Sequence, residues 1–438
     1  MSQTRRPRLA IISSWNTNCG NASYTYVLKK GFEKFYDVEV LGLDLFLLQR
    51  TDKAFRKLGR RHISQMAAQL KQFDYVNIQF EAGLFGSALA DIKRNVITLL
   101  RAAPNVILTM HRIDVDETSL FADIIQTVVR MSPKPLQRRR AVGSYARLYR
   151  DIIKEANRPS YIKNVWLKVH TKRERRVAEE LYRFKKVRDA PLAYLDTESR
   201  SRILADVSPD LLRERYKLPA NAKIIGAFGY VAAYKGFETL LETIKILPPE
   251  WFLMIVGSQH PQSIKPWSNI SPYLSTLINS VEAGKAENFD WMPEDIRRQV
   301  RLTGTLDHEA WNARSNNPLY DRVRFVGNVD DDEFTYLLRN VDATVLPYLE
   351  VGQSMSGVVA LAIESGARLF CANNLSFAEN RRYYGDVFSR FDMGNYIEIA
   401  QKIVHDQSDY TEQREMMYRK YNIDNLIELH RKMFEGTA

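Results

Sequence analysis

Short, nearly unbroken apolar runs recur along this chain, separated by stretches in which apolar residues return every three or four positions. The runs at 8–14, 38–43, 74–81, 106–110 and 165–169 predict strands buried on both faces, as in a parallel sheet. Helical periodicity at 22–35, 61–72 and 141–156 falls between them, and 190–195 is expected to close this half. Residues 196–222, with Ser208-Pro209 and Leu218-Pro219, are the expected linker. The alternation then restarts with strands at 224–229, 251–256, 323–326, 343–346 and 368–372, helices at 238–246, 331–340 and 356–364, and closing helices through 421–434. Two stretches, 118–160 and 259–321, interrupt it, and the second takes no assignment. The predicted class is α/β in two consecutive halves.

A chain of 438 residues exceeds one core of ordinary size, which agrees with two or three domains. Charge separates the halves. Residues 1–200 carry 37 Lys and Arg against 20 Asp and Glu, whereas the remainder carries 26 against 32, within an overall net of +11. The basic half suits a polyanion or an anionic membrane surface. In particular, the basic helix at 141–156 carries apolar Val142, Tyr145, Leu148, Ile152 and Ile153, a pattern of either a helical insertion with a solvated charged face or a membrane-surface or acceptor-binding element. No apolar run reaches the ~18 residues of a membrane span, and the first residues show no signal pattern, so a cytoplasmic protein, peripheral on the inner membrane face, is expected. Cys19 and Cys371, far apart and without neighbouring ligand residues, point to neither a disulfide framework nor a zinc site.

Ligands of open α/β sheets bind at the carboxyl ends of the strands. In the first half those ends deliver Asn16 and Gly20, Gln79 and Glu81, and His111 and Asp114 to one rim. In the second half, the loop Gly352-Gln353-Ser354-Met355-Ser356-Gly357 offers backbone N–H groups and two hydroxyls at a helix start, which predicts a phosphate ligand. Lys235, between Tyr234 and Gly236 just past a strand, is the matching cation.

These segments resemble a known family. Residues 229–241 (GYVAAYKGFETLL), 325–347 (FVGNVDDDEFTYLLRNVDATVLP) and 356–366 are similar to the donor-binding half of GT-B retaining glycosyltransferases of the family 4 type, the group 1 glycosyl transferases. Residues 13–26 resemble that family's first loop, 77–86 (NIQFEAGLFG) its QHE-x-G-x-FG element, 109–114 its His-bearing strand end and 169–174 its hTK-x-E stretch. Residues 421–434 resemble its closing helix.

The resemblance implies two Rossmann-like domains facing across a cleft: 1–200 on the acceptor side, 201–420 for the nucleotide-sugar, and 421–438 crossing back to the first. It further implies sugar transfer from a UDP- or GDP-sugar to a hydroxyl of a glycan or lipid-linked acceptor in surface polysaccharide or glycoconjugate synthesis, with no metal and no cofactor. Lys235, His111 and Glu81 would be the catalytic residues. Gly20, Lys235, Gly327, Val329, Glu350, Gln353, Ser354, Ser356 and Gly357 would bind donor, and Asn16, Gln79 and Asp114 acceptor. The sequence departs from the family where the two acids of its E-x7-E motif fall on Gln353 and Leu361, its Arg on Tyr230 and its middle His on Phe80. A catalytically degenerate partner subunit is therefore an alternative. A nucleic-acid-binding protein, suggested only by the pI of 9.4, would leave Lys235 and the phosphate loop without a role.

Overall fold

The computed structural model describes residues 5–17, 19–115, 134–158, 164–259, 270–282, 319–350 and 354–437, with the side chains of the helix at 134–156 described from Gly143 onward. The chain forms two compact units, Met1–Pro191 with Ile423–Ala438, and Leu192–Asn422.

The first unit is built on a six-stranded sheet of β1 (Arg8–Ser13), β2 (Asp37–Gly42), β3 (Tyr75–Phe80), β4 (Asn105–Met110), β5 (Asn164–Val169) and β6 (Val187–Asp189), in the order β2-β1-β3-β4-β5-β6. Every pairing is parallel. The central strands are buried on both faces, which is why they read as continuous apolar runs. Asp52 starts helix Lys53–Gln69 by accepting from Ala54 N at 2.8 Å. Thr171 and Glu174 form a capping box at Lys172–Arg176.

The helix Ile423–Glu435 belongs to this unit. Phe434 packs on Tyr75 with ring centroids 4.9 Å apart, and Asn164 Nδ2 donates to Met433 O at 3.3 Å. A Cβ at Gly31 would lie 2.6 Å from Ile427 Cγ1, so the glycine lets helix Gly20–Phe32 approach it closely.

The second unit holds β7 (Lys223–Phe228), β8 (Trp251–Val256), β9 (Val323–Gly327), β10 (Ala343–Leu346), β11 (Leu369–Ala372) and β12 (Ser389–Phe391), in the order β12-β11-β10-β7-β8-β9, again all parallel. In each sheet the first strand is flanked by two later ones, so the strand order reverses beside β1 and beside β7. Open sheets form their ligand crevices at such switch points.

Three expectations need correction. The expected linker is two helices, Thr197–Ala205 and Pro209–Arg215, packed into the second unit through Ser208 N to Asn340 Oδ1 at 2.6 Å and Tyr336 Oη to Ser208 O at 3.0 Å. Ser208-Pro209 marks a helix start, since proline fits the first helical position, where no N–H is needed. The unit boundary accordingly falls at 191/192. The run at 190–195 forms no strand; the edge strand is Val187–Asp189. Finally, the stripe of the basic helix Lys134–Ala156 is core: Leu148, Tyr149, Ile152 and Ile153 are buried against the rest of the unit, while Lys93 pairs with Asp151 at 2.8 Å. Of its large apolar side chains among the described residues, Tyr145 alone faces solvent, at 41% exposure.

Candidate functional site

At the switch point of the second sheet, β7 ends in Gly229 (φ +101°), and the chain turns through Ala233–Lys235 into Gly236 (φ +66°) and helix Phe237–Ile246. The neighbouring strand β10 runs into Pro347 and Tyr348. Gly236 is demanded by the approach of these two segments, and Gly229 by its own positive φ beside Lys235. A Cβ at Gly236 would stand 2.3 Å from Pro347 O, and one at Gly229 2.8 Å from Lys235 Nζ. The segments are tied by Leu349 N donating to Tyr234 O at 2.7 Å.

Lys235 is 5% exposed in this corner. Its ammonium donates to Tyr348 Oη and lies 3.9 Å from the centre of the Tyr348 ring. Tyr348 Oη also takes a hydrogen bond from the Ser356 hydroxyl and is 3.4 Å from Phe228 O. Lys235 and Ser356 thus converge on one hydroxyl. No carboxylate pairs with Lys235 among the described residues, and burial pulls its pKa down from 10.5 to about 7.

Ser356 precedes helix Gly357–Glu364 and makes no side-chain cap, so the first N–H groups of that helix are not closed off by its hydroxyl. Gly357 makes room for Tyr194, whose hydroxyl would lie 2.4 Å from a Cβ there. Tyr194 is set by Glu364, whose carboxyl accepts from Tyr194 N and Leu195 N at 3.1 Å. Burial raises that carboxyl to about 8.

Three adjacent strands finish in positive-φ glycines, Gly229, Gly257 and Gly327. Gly257 N donates to Gly327 O at 2.7 Å, and a Cβ on Gly257 would sit 2.2 Å from Gly229 O. Gly257→Ala is therefore expected to destabilise the fold by about 2–4 kcal/mol, read as a shift of the urea midpoint. An unchanged midpoint would contradict this packing. Glu350 Oε2 accepts from Leu375 N at 2.7 Å and so helps start the next helix. Ser354 is buried, and Val329 lies half-buried beyond β9. Gln353 lies outside the described residues.

In the first unit, Gly20 opens helix Gly20–Phe32, with nothing within 4 Å of a Cβ placed there, and Asn16 takes φ +51° in the loop before it. Asp114 is paired with Arg112. Glu81 is half-buried beside them, and loss of solvent raises it from 4.5 to about 7, although the Arg112 cation opposes this. A carboxyl raised in the folded state stabilises fully below its unfolded value of about 4.5 and loses that contribution as pH rises through about 7. Glu81→Gln should therefore remove a fall in stability on the order of 2 kcal/mol between about pH 5 and pH 8, measured by denaturation at both pH values.

Gln79 lies beneath this rim, while His111 is half-buried at the end of β4. Gln79 is fully buried. Its Oε1 is 2.9 Å from His111 Nε2, and its Nε2 donates to Asn77 Oδ1 at 2.6 Å. His111 Nδ1 is 3.1 Å from His170 Nε2, so both ring nitrogens are engaged inside the unit, and burial holds the ring near a pKa of about 3, hence neutral. His170, Lys168, Tyr348 and Tyr194 were not singled out from sequence. The available signal was Lys168, a charge inside the buried run of β5.

Among the described residues, no group of three or more His, Cys, Asp or Glu side chains could hold a metal ion, and no helix is long and apolar enough to cross a membrane.

Neither a protein-family model nor a curated protein matches the chain. Solved structures do match its fold. Anabaena HepE in complex with UDP aligns over 98% of this chain and 100% of its own at 13% identity and a TM-score of 0.58. Sucrose-phosphate synthase from Thermosynechococcus elongatus aligns over 98% and 100% at 14% identity and 0.60. A UDP-forming α,α-trehalose-phosphate synthase from Burkholderia xenovorans aligns over 98% and 99% at 11% identity and 0.61.

Proposed function

We propose that this chain, which has the two-sheet α/β GT-B fold of glycosyltransferases, transfers a sugar from a nucleoside diphosphate sugar to an acceptor hydroxyl. The observation that carries this reading is Lys235: a buried cation with no carboxylate partner among the described residues, at a switch point and joined through Tyr348 to the start of helix Gly357–Glu364. A buried ammonium is costly unless something anionic completes it. A diphosphate does so, taking the Lys235 charge, the Ser356 hydroxyl and the helix N–H groups together.

Breaking the bond between the anomeric carbon and the phosphate oxygen leaves a negative charge on the diphosphate, which these groups stabilise. The acceptor oxygen bonds the anomeric carbon on the same face, and its proton passes to a donor phosphate oxygen, so configuration is retained and neither metal nor protein base is required. Gly327 and Val329 border the nucleoside, and Glu350 and Gln353 the sugar or ribose. Asn16, Glu81 and Asp114 form the acceptor side, with Gln79 beneath them and His111 at the strand end, whereas Gly20 is assigned to the donor. UDP in the HepE structure supports a uridine donor. The +17 balance of residues 1–200 supports an anionic surface as partner, in assembly of a surface glycan at the inner membrane face.

A second reading, donor binding without turnover, is favoured by Leu361, an apolar residue on the helix where the resembled family places an acid. A screen of UDP-, GDP- and ADP-sugars by thermal shift and by release of nucleoside diphosphate separates the two. Stabilisation with release supports transfer, stabilisation alone supports the second reading, and no stabilisation by any donor removes both.

A further inference from the structure

We propose that Lys168 and His170 are positioning residues: Lys168, through His170, fixes the His111 ring with its proton on Nε2 and thereby holds Gln79 beneath the carboxyl edge of the first sheet.

The argument is one of hydrogen-bond direction. Lys168 is fully buried on β5 with Nζ 2.6 Å from His170 Nδ1. An ammonium has donors only, so His170 Nδ1 must accept. Burial and the adjacent lysine keep His170 neutral, leaving its single proton on Nε2, 3.1 Å from His111 Nδ1. That nitrogen therefore accepts, and the His111 proton is left on Nε2, where it donates to Gln79 Oε1 at 2.9 Å. Gln79 Nε2 passes the direction on to Asn77 Oδ1 at 2.6 Å, and Thr109 Oγ1 donates to the same oxygen at 3.4 Å. One buried cation thus orients two imidazoles and one carboxamide, none of which has a preferred direction by itself.

The surroundings favour this arrangement. Glu174 and Asp189 support the Lys168 charge against burial, which draws it down to about 7. Glu174 accepts from Ile113 N and His170 N at 3.2 Å, fixing the backbone at both histidine-bearing strand ends. Tyr24 meets the two rings edge-on, with centroids 5.9 and 6.2 Å away. His430 is a further buried imidazole within the field of Lys168 and stays neutral. Donor binding by Lys235 needs none of this, so the relay bears on the acceptor side of the proposed reaction.

The role in transfer rests on the function proposed above, whereas the tautomers can be read in the resting protein without any donor. The test is long-range 1H–15N correlation of protein labelled at its seven histidines, at about pH 6, with His111 and His170 assigned by substitution. Both rings should carry the proton on Nε2, and in Lys168→Met, which keeps the volume, at least one should change tautomer or enter exchange. A proton on Nδ1 of either ring in the wild type, or unchanged tautomers in the variant, would overturn the proposal. That wild-type result decides the direction even if the variant fails to fold. In a transfer assay the variant should lose about tenfold in kcat with the donor KM within about twofold. An unchanged kcat beside altered tautomers would equally overturn the positioning role. If no donor is turned over by the wild type, the function reading fails while the tautomer result stands.

Discussion

Lys235→Met is expected to raise the thermal midpoint of the ligand-free protein by about 2–4 °C while lowering kcat/KM for the nucleotide-sugar by about 10²–10³-fold. The two effects have one origin. In the ligand-free protein the ammonium is almost wholly buried, with a tyrosine hydroxyl and ring as its partners and no carboxylate among the described residues. Methionine fills similar space without that desolvation cost. With donor bound, the same ammonium meets a diphosphate in a place where water no longer screens it, and its loss removes a charge-assisted hydrogen bond to the leaving group. Scanning calorimetry and initial rates measure the two together. A variant that is destabilised, or one that keeps its donor kinetics, would show that Lys235 serves packing rather than phosphate.

The second large effect is on pH. Because the ligand-free Lys235 titrates at about 7 rather than 10.5, half of it is uncharged near neutrality. A diphosphate favours the ammonium, so binding above about pH 7 must take up a proton. The dissociation constant of UDP-glucose, whose diphosphate stays ionised throughout this range, should rise by up to tenfold per pH unit from about pH 7 to pH 9. Stability of the ligand-free fold runs the opposite way. The unfolded chain holds the Lys235 proton up to about 10.5 and the folded chain only to about 7, so the folded state gains as pH rises between the two. Calorimetric titration in buffers of different ionisation enthalpy counts the protons. Uptake approaching one at about pH 8 is expected in the wild type, and none in Lys235→Met.

Much of this was legible because parallel strands buried on both faces write themselves as apolar runs. Trp251–Val256, Ala343–Leu346 and helix Asp331–Asn340 lie where periodicity put them. Lys235 and Ser356 were legible for a related reason, since small residues and a cation at strand-to-helix turns have few structural uses. Tyr348 was not, because an aromatic residue just after a strand looks like core until its hydroxyl is seen between Lys235 and Ser356. Lys168 and His170 were hidden because they act through each other and through His111, a residue 57 positions before Lys168 that pairing of β4 with β5 brings alongside. Asp196–Ala222 misled because a Ser-Pro step serves turns and helix starts alike, and only the packing of Ser208 against Asn340 and Tyr336 decides between them.

The most direct test of the central claim is a crystal structure of the protein with UDP. The account predicts diphosphate oxygens within hydrogen-bond distance of Lys235 Nζ and of the first backbone N–H groups of helix Gly357–Glu364. A nucleotide bound elsewhere, with Lys235 still donating only to Tyr348, would contradict it.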